Sequence, residues 1–316
     1  MEACLYGPID GFYTTGGSAG RRGDFITSPE VGPLFGAVLA RWMDSVWESL
    51  GRPHGFTVVE AGAGSGTLAR SVLAAAPHCL THGRYLAVER SERLRSDHPD
   101  GVEPLVDLPA GPVTGVVLAN ELLDNLAFSL LHGVDDTWHQ VRVGADQGGL
   151  VEVTAEPCDP PVPLEPVDGA RIAVQTEASQ WVSRALSILE AGSLLAFDYC
   201  TTTAEMASQS PGEWLRTYAG HERGGNPLDA PGRQDITVDV AIDQLPTGAS
   251  TMSQADFLTH HGIRDLVDAG RLAWSERAGI GDLEAIRARS RTIEAAALVD
   301  LDGLGGFTAL EWVAGP

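Results

Sequence analysis

Hydrophobic positions in the first half of the chain switch between helical and strand-like spacing. From Gly32 to Leu50, apolar residues recur every three or four positions, which predicts an amphipathic helix that starts near Ser28-Pro29-Glu30. The runs FTVVEAG, RYLAVERS and GPVTGVVLAN are short and apolar, and the helical segment GTLARSVLAAAP separates the first two. Strands that alternate with helices in this way are typical of a doubly wound, mostly parallel α/β sheet.

The pattern then changes to two runs that alternate apolar and polar residues, Thr137 to Val143 and Gly149 to Ala155. Because the turn-rich sequence GADQG lies between them, we expect a β-hairpin inserted in or beside the main sheet. A helix is predicted in TEASQWVSRALSILEAG, a buried strand in SLLAFDYC, and a last strand in FTALEWV.

The pattern is loosest between Thr201 and Ser250, where glycine, proline and polar residues are frequent. Long irregular segments in compact domains are often functional, so we expect a substrate-side cap there.

We predict one Rossmann-like domain over 1–316 with these parts: an N-terminal helical extension (1–50), a cofactor-binding core (51–126), the hairpin with a Pro-rich connector (127–170), a core helix and strand (171–200), the cap (201–250), and C-terminal helices with the last strand (251–316).

Composition narrows the classes of partner. The chain has 316 residues, 43% of them hydrophobic, which is enough to bury a sizeable core. Its net charge of -22 disfavours a nucleic-acid partner, although solubility alone explains much of the acidity. The sequence contains neither a long apolar run nor a signal-peptide pattern, so we expect a cytoplasmic protein that does not bind membranes. The 4 cysteines lie far apart, which favours neither a metal site nor disulfides.

A glycine-rich turn follows the first predicted strand, in the sequence VVEAGAGSGT. Such a turn lets the backbone approach a nucleotide-like ligand at the carboxyl edge of a parallel sheet. The dinucleotide pattern GxGxxG would need a glycine where Thr67 stands, which disfavours an NAD-dependent oxidoreductase. Glu89 ends the next strand, where an acidic side chain can accept hydrogen bonds from ribose hydroxyls.

The turn and several further segments carry a family resemblance. Glu60-x-Gly62-x-Gly64-x-Gly66 resembles motif I of class I S-adenosylmethionine-dependent methyltransferases. The segment GDFITSPE, followed by Phe35-Gly36, resembles a motif of the MidA-like methyltransferases, a family that includes the mitochondrial complex I assembly factor that methylates an arginine. Similar segments continue from Tyr6 to nearly the end of the chain: Ala119 to Asp124, Asp198-Tyr199, Leu215 to His221, Gly232 to Val240, and Gly305 to Phe307.

The sequence departs from the family pattern at three places. Asp124-Asn125-Leu126-Ala127 stands where the family has DALP, the turn reads AGAGSGTLA in place of GPGRGTLM, and Cys200 replaces the glycine of DYG. The first departure lies beside the expected acceptor site. The resemblance therefore defines the cofactor more firmly than the methyl acceptor.

The resemblance implies S-adenosyl-L-methionine as cofactor. The GDFITSPE segment would close over the methionine end of the cofactor. Asp107, which stands before the fourth strand, could meet the adenine amino group, and the favoured alternative is an exposed loop acid. The expected cofactor-binding residues are Asp24, Thr27, Ser28, Glu60, Gly62, Ala63, Gly64, Gly66, Glu89, Asp107 and Asn120.

Methyl transfer from a sulfonium is an in-line displacement that depends chiefly on positioning. An arginine acceptor remains protonated, so carboxylates that grip and orient its guanidinium would suit the task. Glu121 and Asp124 are three residues apart, hence on one face if a helix begins there, and we predict them as the catalytic pair. The alternative is that Asn120 caps this helix and the two acids lie in its first turn.

Weaker substrate-side candidates are Glu30, Tyr199, His221 and Asp235.

Together these observations predict an S-adenosylmethionine-dependent methyltransferase that N-methylates an arginine of a protein partner. A small-molecule methyltransferase and a non-catalytic cofactor-binding assembly factor are the alternatives. The oligomeric state is left open.

Overall fold

The computed structural model describes residues 1–7, 9–15, 27–219, 222–278 and 283–315. The helices are α1 (Glu2–Tyr6), α2 (Phe12–Thr15), α3 (Ser28–Val31), α4 (Pro33–Ser49), α5 (Thr67–Ala75), α6 (Glu92–Arg95), α7 (Thr176–Ile188), α8 (Thr203–Ser208), α9 (Pro211–Trp214), α10 (Gln254–His260), α11 (Ile263–Arg277) and α12 (Leu283–Leu298). The strands are β1 (Thr57–Ala61), β2 (Arg84–Val88), β3 (Val102–Leu105), β4 (Val113–Asn120), β5 (Ser129–Val134), β6 (Thr137–Asp146), β7 (Gly149–Pro157), β8 (Arg171–Val174), β9 (Leu189–Asp198), β10 (Cys200–Thr201), β11 (Leu215–Ala219), β12 (Glu222–Arg223), β13 (Asp235–Val238), β14 (Val240–Ala241), β15 (Ser250–Ser253) and β16 (Thr308–Ala314).

A seven-stranded sheet forms the centre of the molecule, with the strand order β15-β16-β9-β4-β1-β2-β3. Strands β3, β2, β1, β4 and β9 are parallel, whereas β16 runs antiparallel between β9 and β15. The predicted doubly wound, mostly parallel sheet is confirmed. Since β1 pairs with β2 on one side and β4 on the other, the sheet has its switch point at β1, which is where open α/β sheets bind ligands.

Both faces of this sheet are covered by helices. Val58 of β1 packs into a core cluster with α4 and α5, while the next residue, Val59, packs into a second cluster with α7. Alternate residues of a strand point to opposite faces, so a sheet buried on both sides needs apolar residues at consecutive positions. This explains the continuous apolar runs in the sequence.

The helix predicted from Gly32 to Leu50 is confirmed as α4, but its predicted start was wrong. Ser28, Pro29 and Glu30 belong to the separate one-turn helix α3, and extended backbone at Gly32 separates the two helices. Proline disfavours helical backbone at the preceding residue, so Pro33 ends α3 at Val31 and begins α4.

The predicted hairpin is confirmed as β6 and β7, and it belongs to a separate antiparallel sheet of order β7-β6-β5-β8. The segment from Thr201 to Ser250 is more regular than we expected, since it contains a three-stranded sheet of order β12-β11-β13 and the pair β10-β14. These strands are too short to show an alternating pattern in the sequence. Within the described residues, no helix is long and apolar enough to cross a membrane.

An aromatic stack links the sheet to its helices. Phe197 of β9 is fully buried and makes edge-to-face contacts with Phe35 of α4 and Phe257 of α10, at centroid distances of 5.4 and 5.2 Å. Edge-to-face aromatic pairs add to the stabilisation that burial alone provides. The stack therefore holds two helices against the strand that ends in Asp198.

We expect Phe197→Ala to lower the free energy of unfolding by about 3–5 kcal/mol, because it removes a buried ring and leaves a cavity. Urea unfolding followed by circular dichroism measures this loss. Val313→Ala is the control, since Val313 is 79% exposed, and it should change stability by less than about 0.5 kcal/mol. Equal effects of the two substitutions would contradict the assignment of Phe197 to the core.

Candidate active site

The glycine-rich turn joins β1 to α5 at the carboxyl edge of the sheet. Gly64 and Gly66 both have left-handed backbone, with φ values of 53° and 81°. A Cβ atom at Gly64 would meet nothing within 4 Å, whereas one at Gly66 would lie 2.9 Å from Cδ of Pro99. With respect to the described residues, Gly64 thus faces open space that a ligand can fill, and Gly66 serves the packing of the turn.

Glu89, directly after β2, is tied to this turn. Its Oε2 accepts a hydrogen bond from the backbone N–H of Gly64 at 3.0 Å, and its Oε1 accepts one from the N–H of Ser91 at 2.7 Å. Burial raises the pKa of Glu89, and these two bonds oppose the rise. Each carboxylate oxygen can accept a further hydrogen bond, so Glu89 remains able to bind hydroxyl groups.

Two adjoining cavities meet at the switch point. The turn cavity lies between the glycine turn and the N-terminal residues, and a second cavity, which we call the outer cavity, lies beyond β2 and β3, with Asp107 in its wall. Both are lined by Tyr6, Ala61, Gly62, Glu89 and Leu122. Together they form an elongated cleft with a carboxylate at its middle.

Glu60 lines the turn cavity from the sheet side. The hydroxyl of Tyr85 donates to its Oε2 at 2.7 Å. Burial raises the pKa of Glu60 to about 7, although the Tyr85 hydrogen bond lowers it. This carboxyl group can therefore be neutral or charged near physiological pH.

A group of carboxylates lies beside the turn cavity, and we call Glu121, Asp124, Asp198 and Asp235 the acidic cluster. Asp124, Asp198 and Asp235 are at most 3% exposed. Asp198 Oδ2 accepts hydrogen bonds from the backbone N–H groups of Leu123 and Asp124, at 3.0 and 3.3 Å. This contact holds the loop after β4 against the end of β9.

Burial and mutual repulsion raise the pKa values within the cluster. The pKa of Glu121 rises to about 8, first through burial and then through the nearby charge of Asp124. Those of Asp124 and Asp198 lie well above their usual range, again chiefly because of burial. Asp124 Oδ1 is buried and has no hydrogen-bond partner within the part of the chain that the structure describes. Such a group is stabilised by a cation that enters beside it.

Among the described residues, Arg216 is an arginine whose charge acts on the cluster. Arg216 forms an ion pair with Asp239, its guanidinium lies 4.9 Å from the centroid of the Tyr199 ring, and its charge lowers the pKa of Asp124. The pKa of Asp124 nevertheless stays raised, so this arginine does not neutralise the cluster.

The cofactor-side predictions are placed as follows. Thr27, Glu60, Gly62, Ala63, Gly64, Glu89 and Asn120 line the turn cavity, and Asp107 lines the outer cavity. The side chain of Ser28 is fully buried and donates to Gln254 Oε1 at 2.9 Å, so only its backbone faces the site, where it bonds Glu121. Asp24 lies outside the described residues.

The acceptor-side predictions need correction. Glu121 has a left-handed backbone with φ of 49°, and only a 3-10 turn, Leu123–Asn125, follows it. The shared helix face of Glu121 and Asp124 was therefore wrong, and so was the alternative of Asn120 as a helix cap. Tertiary contacts with β9 bring the two acids close together instead.

Glu30 was predicted on the substrate side, but its Oε1 accepts a hydrogen bond from Thr67 Oγ1 at 2.7 Å, directly after the glycine turn. It therefore lies at the cofactor turn. Asp235 is in the cluster, and Tyr199 packs between Phe307 and Arg216. His221 lies outside the described part of the chain.

Several residues of the site were not among the predicted site residues. Tyr6 and Tyr13 come from the N-terminal segment and line the turn cavity. Asn125 was noticed only as a departure from the family pattern, and Asp198 only as part of a matching segment. Their positions depend on contacts between distant parts of the chain, which no local spacing records.

The sheet order with one antiparallel strand, together with a glycine turn and a carboxylate at the switch point, is the architecture of class I methyltransferases. A family profile described as "Putative S-adenosyl-L-methionine-dependent methyltransferase" matches residues 38–260. The chain belongs to this family, the MidA-like methyltransferases.

Two named relatives are similar over most of this chain. The protein arginine methyltransferase NDUFAF7 homolog of Drosophila melanogaster, a mitochondrial protein, is 27% identical over 284 residues, which cover 76% of this chain and 63% of that protein. The Xenopus tropicalis protein arginine methyltransferase NDUFAF7 is 24% identical over 319 residues, which cover 83% and 71%. The chain thus spans less than two thirds of the length of the Drosophila relative.

A solved structure agrees with the fold throughout. A crystal structure from Burkholderia thailandensis, bound to S-adenosyl-homocysteine, superposes with a TM-score of 0.81 at 26% identity and covers 99% of this chain and 86% of that one. A native crystal structure from the same organism gives a TM-score of 0.79.

The cofactor is S-adenosyl-L-methionine, and the cleft fits it. Open space at Gly64, the Glu89 carboxylate and the buried, unpartnered Oδ1 of Asn120 offer contacts to a ligand with hydroxyl and amino groups. When bound, the cofactor supplies an electrophilic methyl group on a sulfonium.

We expect Glu89→Gln to weaken S-adenosyl-homocysteine binding about 10- to 100-fold, since hydrogen bonds to a charged group contribute about 1.5–3 kcal/mol. Calorimetric titration measures the dissociation constant. The control is Glu103→Gln, an exposed carboxylate on the edge strand β3, which should bind as the wild type does. Unchanged affinity in Glu89→Gln would remove Glu89 from the cofactor site.

Proposed function

We propose that this protein transfers a methyl group from S-adenosylmethionine to a guanidinium nitrogen of an arginine on a protein partner. One observation carries the proposal: the buried acidic cluster reaches the cofactor cleft through Glu121 and contains a carboxylate oxygen, Asp124 Oδ1, that has no hydrogen-bond partner among the described residues. An arginine side chain supplies the charge and the N–H donors that this cluster lacks.

A guanidinium suits the cluster better than an ammonium. It is planar, carries five N–H donors in a fixed arrangement and loses less hydration than a lysine ammonium when buried. Glu121, Asp124 and Asp235 come from two different segments, so they can accept from different edges of one plane. Bound between carboxylates, the guanidinium would turn one nitrogen towards the methyl group.

The proton balance also favours this assignment. In the transfer, the carbon–sulfur bond breaks, a carbon–nitrogen bond forms, and the neutral sulfide leaves with the electron pair of the broken bond. The attacking nitrogen must give up a proton. A carboxylate with a pKa of about 8, such as Glu121, can take that proton and pass it to water.

The segment 201–250 is the proposed substrate side. Its strands β11 and β13 bring Arg216 and Asp235 to the acidic cluster. The named relatives from Drosophila and Xenopus are both protein arginine methyltransferases, which supports an arginine acceptor and a protein partner.

We expect the purified protein to label arginine-containing peptides when it is incubated with methyl-tritiated S-adenosylmethionine. A degenerate peptide library with one fixed arginine is compared with matched libraries that carry lysine or citrulline at that position. Label in methylarginine after acid hydrolysis supports the proposal. Label that appears only with small-molecule extracts would favour a small-molecule acceptor, and cofactor binding without any transfer would favour a non-catalytic assembly factor.

Glu121→Gln and Asp124→Asn should each lower kcat/KM for the arginine library at least about 100-fold, since they remove charges that bind and deprotonate the acceptor. Glu103→Gln should retain full activity. Binding of S-adenosyl-homocysteine with unchanged affinity shows that each variant is folded. Full activity in both cluster variants would contradict the assigned site.

The acceptor affinity should depend on pH. Below about pH 8, Glu121 is protonated in the free protein, so binding of a cation must release this proton. Affinity should therefore rise with pH below about pH 8, by up to about tenfold per pH unit for the Glu121 proton, while arginine stays charged throughout. Titration of acetyl-arginine methylamide into the S-adenosyl-homocysteine complex, in buffers of different ionisation enthalpy, measures the released protons. Glu121→Gln should release fewer protons, and equal release would contradict this role.

A further inference from the structure

The N-terminal residues form a wall of the site. Leu5 of α1 and Phe12 of α2 pack with Ile236 of β13 in a small core of their own. Glu2 forms an ion pair with Arg90, at 3.3 Å, just beyond the end of β2. The segment is thus attached both to the substrate-side sheet and to the cofactor edge of the main sheet.

Tyr13 makes the most specific contacts of this segment. Its hydroxyl lies 2.6 Å from Oδ1 of Asn125 and 3.0 Å from Oδ1 of Asp235. The Asn125 amide is oriented because its Nδ2 donates to the carbonyl oxygen of Ile236 at 3.4 Å. One phenol therefore joins the loop after β4 to the first residue of β13, which are about a third of the chain apart in sequence.

The ring of Tyr13 is held independently of its hydroxyl. It stacks on Tyr6, with centroids 5.5 Å apart and planes inclined by 20°, and it meets Phe12 edge to face. Burial and the charge of Asp235 keep the pKa of Tyr13 well above its usual value, so the phenol carries its proton. Removal of the hydroxyl alone would leave these ring contacts in place.

We propose that Tyr13 is a positioning residue for the methyl acceptor: its hydroxyl orients Asp235 and Asn125 towards the acidic cluster and has no direct part in cofactor affinity. The inference rests on the proposed function, because it assumes that a cationic acceptor enters beside Asp124. In the absence of the Tyr13 donor, Asp235 and Asn125 would lose the contact that joins them, and the acceptor would meet a less ordered set of oxygens.

The molecule offers a matched pair of substitutions. Tyr13→Phe deletes the hydroxyl on the acceptor side, and Tyr85→Phe deletes the hydroxyl that donates to Glu60 on the cofactor side. The probe is acetyl-arginine methylamide, titrated into each protein saturated with S-adenosyl-homocysteine. A parallel titration measures the affinity of each protein for S-adenosyl-homocysteine itself.

We expect Tyr13→Phe to weaken probe binding at least about fivefold while S-adenosyl-homocysteine affinity stays within about twofold of the wild type. Tyr85→Phe should show the opposite result: it should weaken S-adenosyl-homocysteine binding at least about fivefold, while probe binding to the saturated protein stays within about twofold of the wild type. In assays with an arginine peptide that the wild type methylates, Tyr13→Phe should raise KM for the peptide and leave KM for S-adenosylmethionine unchanged.

Two outcomes overturn the inference alone: Tyr13→Phe binds the probe as the wild type does, or it loses cofactor and probe affinity equally, as a general loss of structure would produce. A wild type that binds S-adenosyl-homocysteine but not the arginine probe overturns the proposed acceptor and this inference with it. That result is evident before any variant is compared, so the two failures are distinguishable.

Discussion

A single buried carboxylate, that of Asp198, organises the proposed acceptor site. It accepts hydrogen bonds from the backbone N–H groups of Leu123, Asp124 and Tyr199, at distances from 3.0 to 3.3 Å. Backbone donors that converge on a carboxylate stabilise its charge and fix the loop that provides them. Because β9 pairs with β4 up to Asn120, Asp198 can reach this loop only when the central sheet has formed.

The loop held in this way carries an unfavourable concentration of buried carboxyl groups. Glu121 and Asp124 lie close to Asp198 and Asp235, and burial raises the pKa values of the first three. Buried carboxylates that lack counter-charges are costly to a fold, and functional sites are a common place for such groups. Binding of a cation would offset this cost, and the net charge of -22 also attracts cations.

The cofactor and acceptor regions differ in how far they could be predicted. The glycine turn, Glu60 and Glu89 follow single strands of a parallel sheet, so their convergence at one edge follows from the strand order. The acceptor region draws on Tyr13, Asp124, Asp198 and Asp235, which come from four separate segments. The helix expected at Glu121 illustrates the limit: a spacing of three residues suggested one face, but a left-handed residue and a 3-10 turn follow from contacts with β9.

The sequence by itself determined the class of sheet and the cofactor turn, because apolar periodicity and glycine positions act over short distances along the chain. It also predicted α4, the β6–β7 hairpin and the last strand. Only the tertiary structure decided which carboxylates are neighbours, how far burial raises their pKa values, and that Glu30 faces the cofactor turn. Those properties depend on the distances between residues remote in sequence and on the water excluded around them, and neither quantity is recorded in a local pattern.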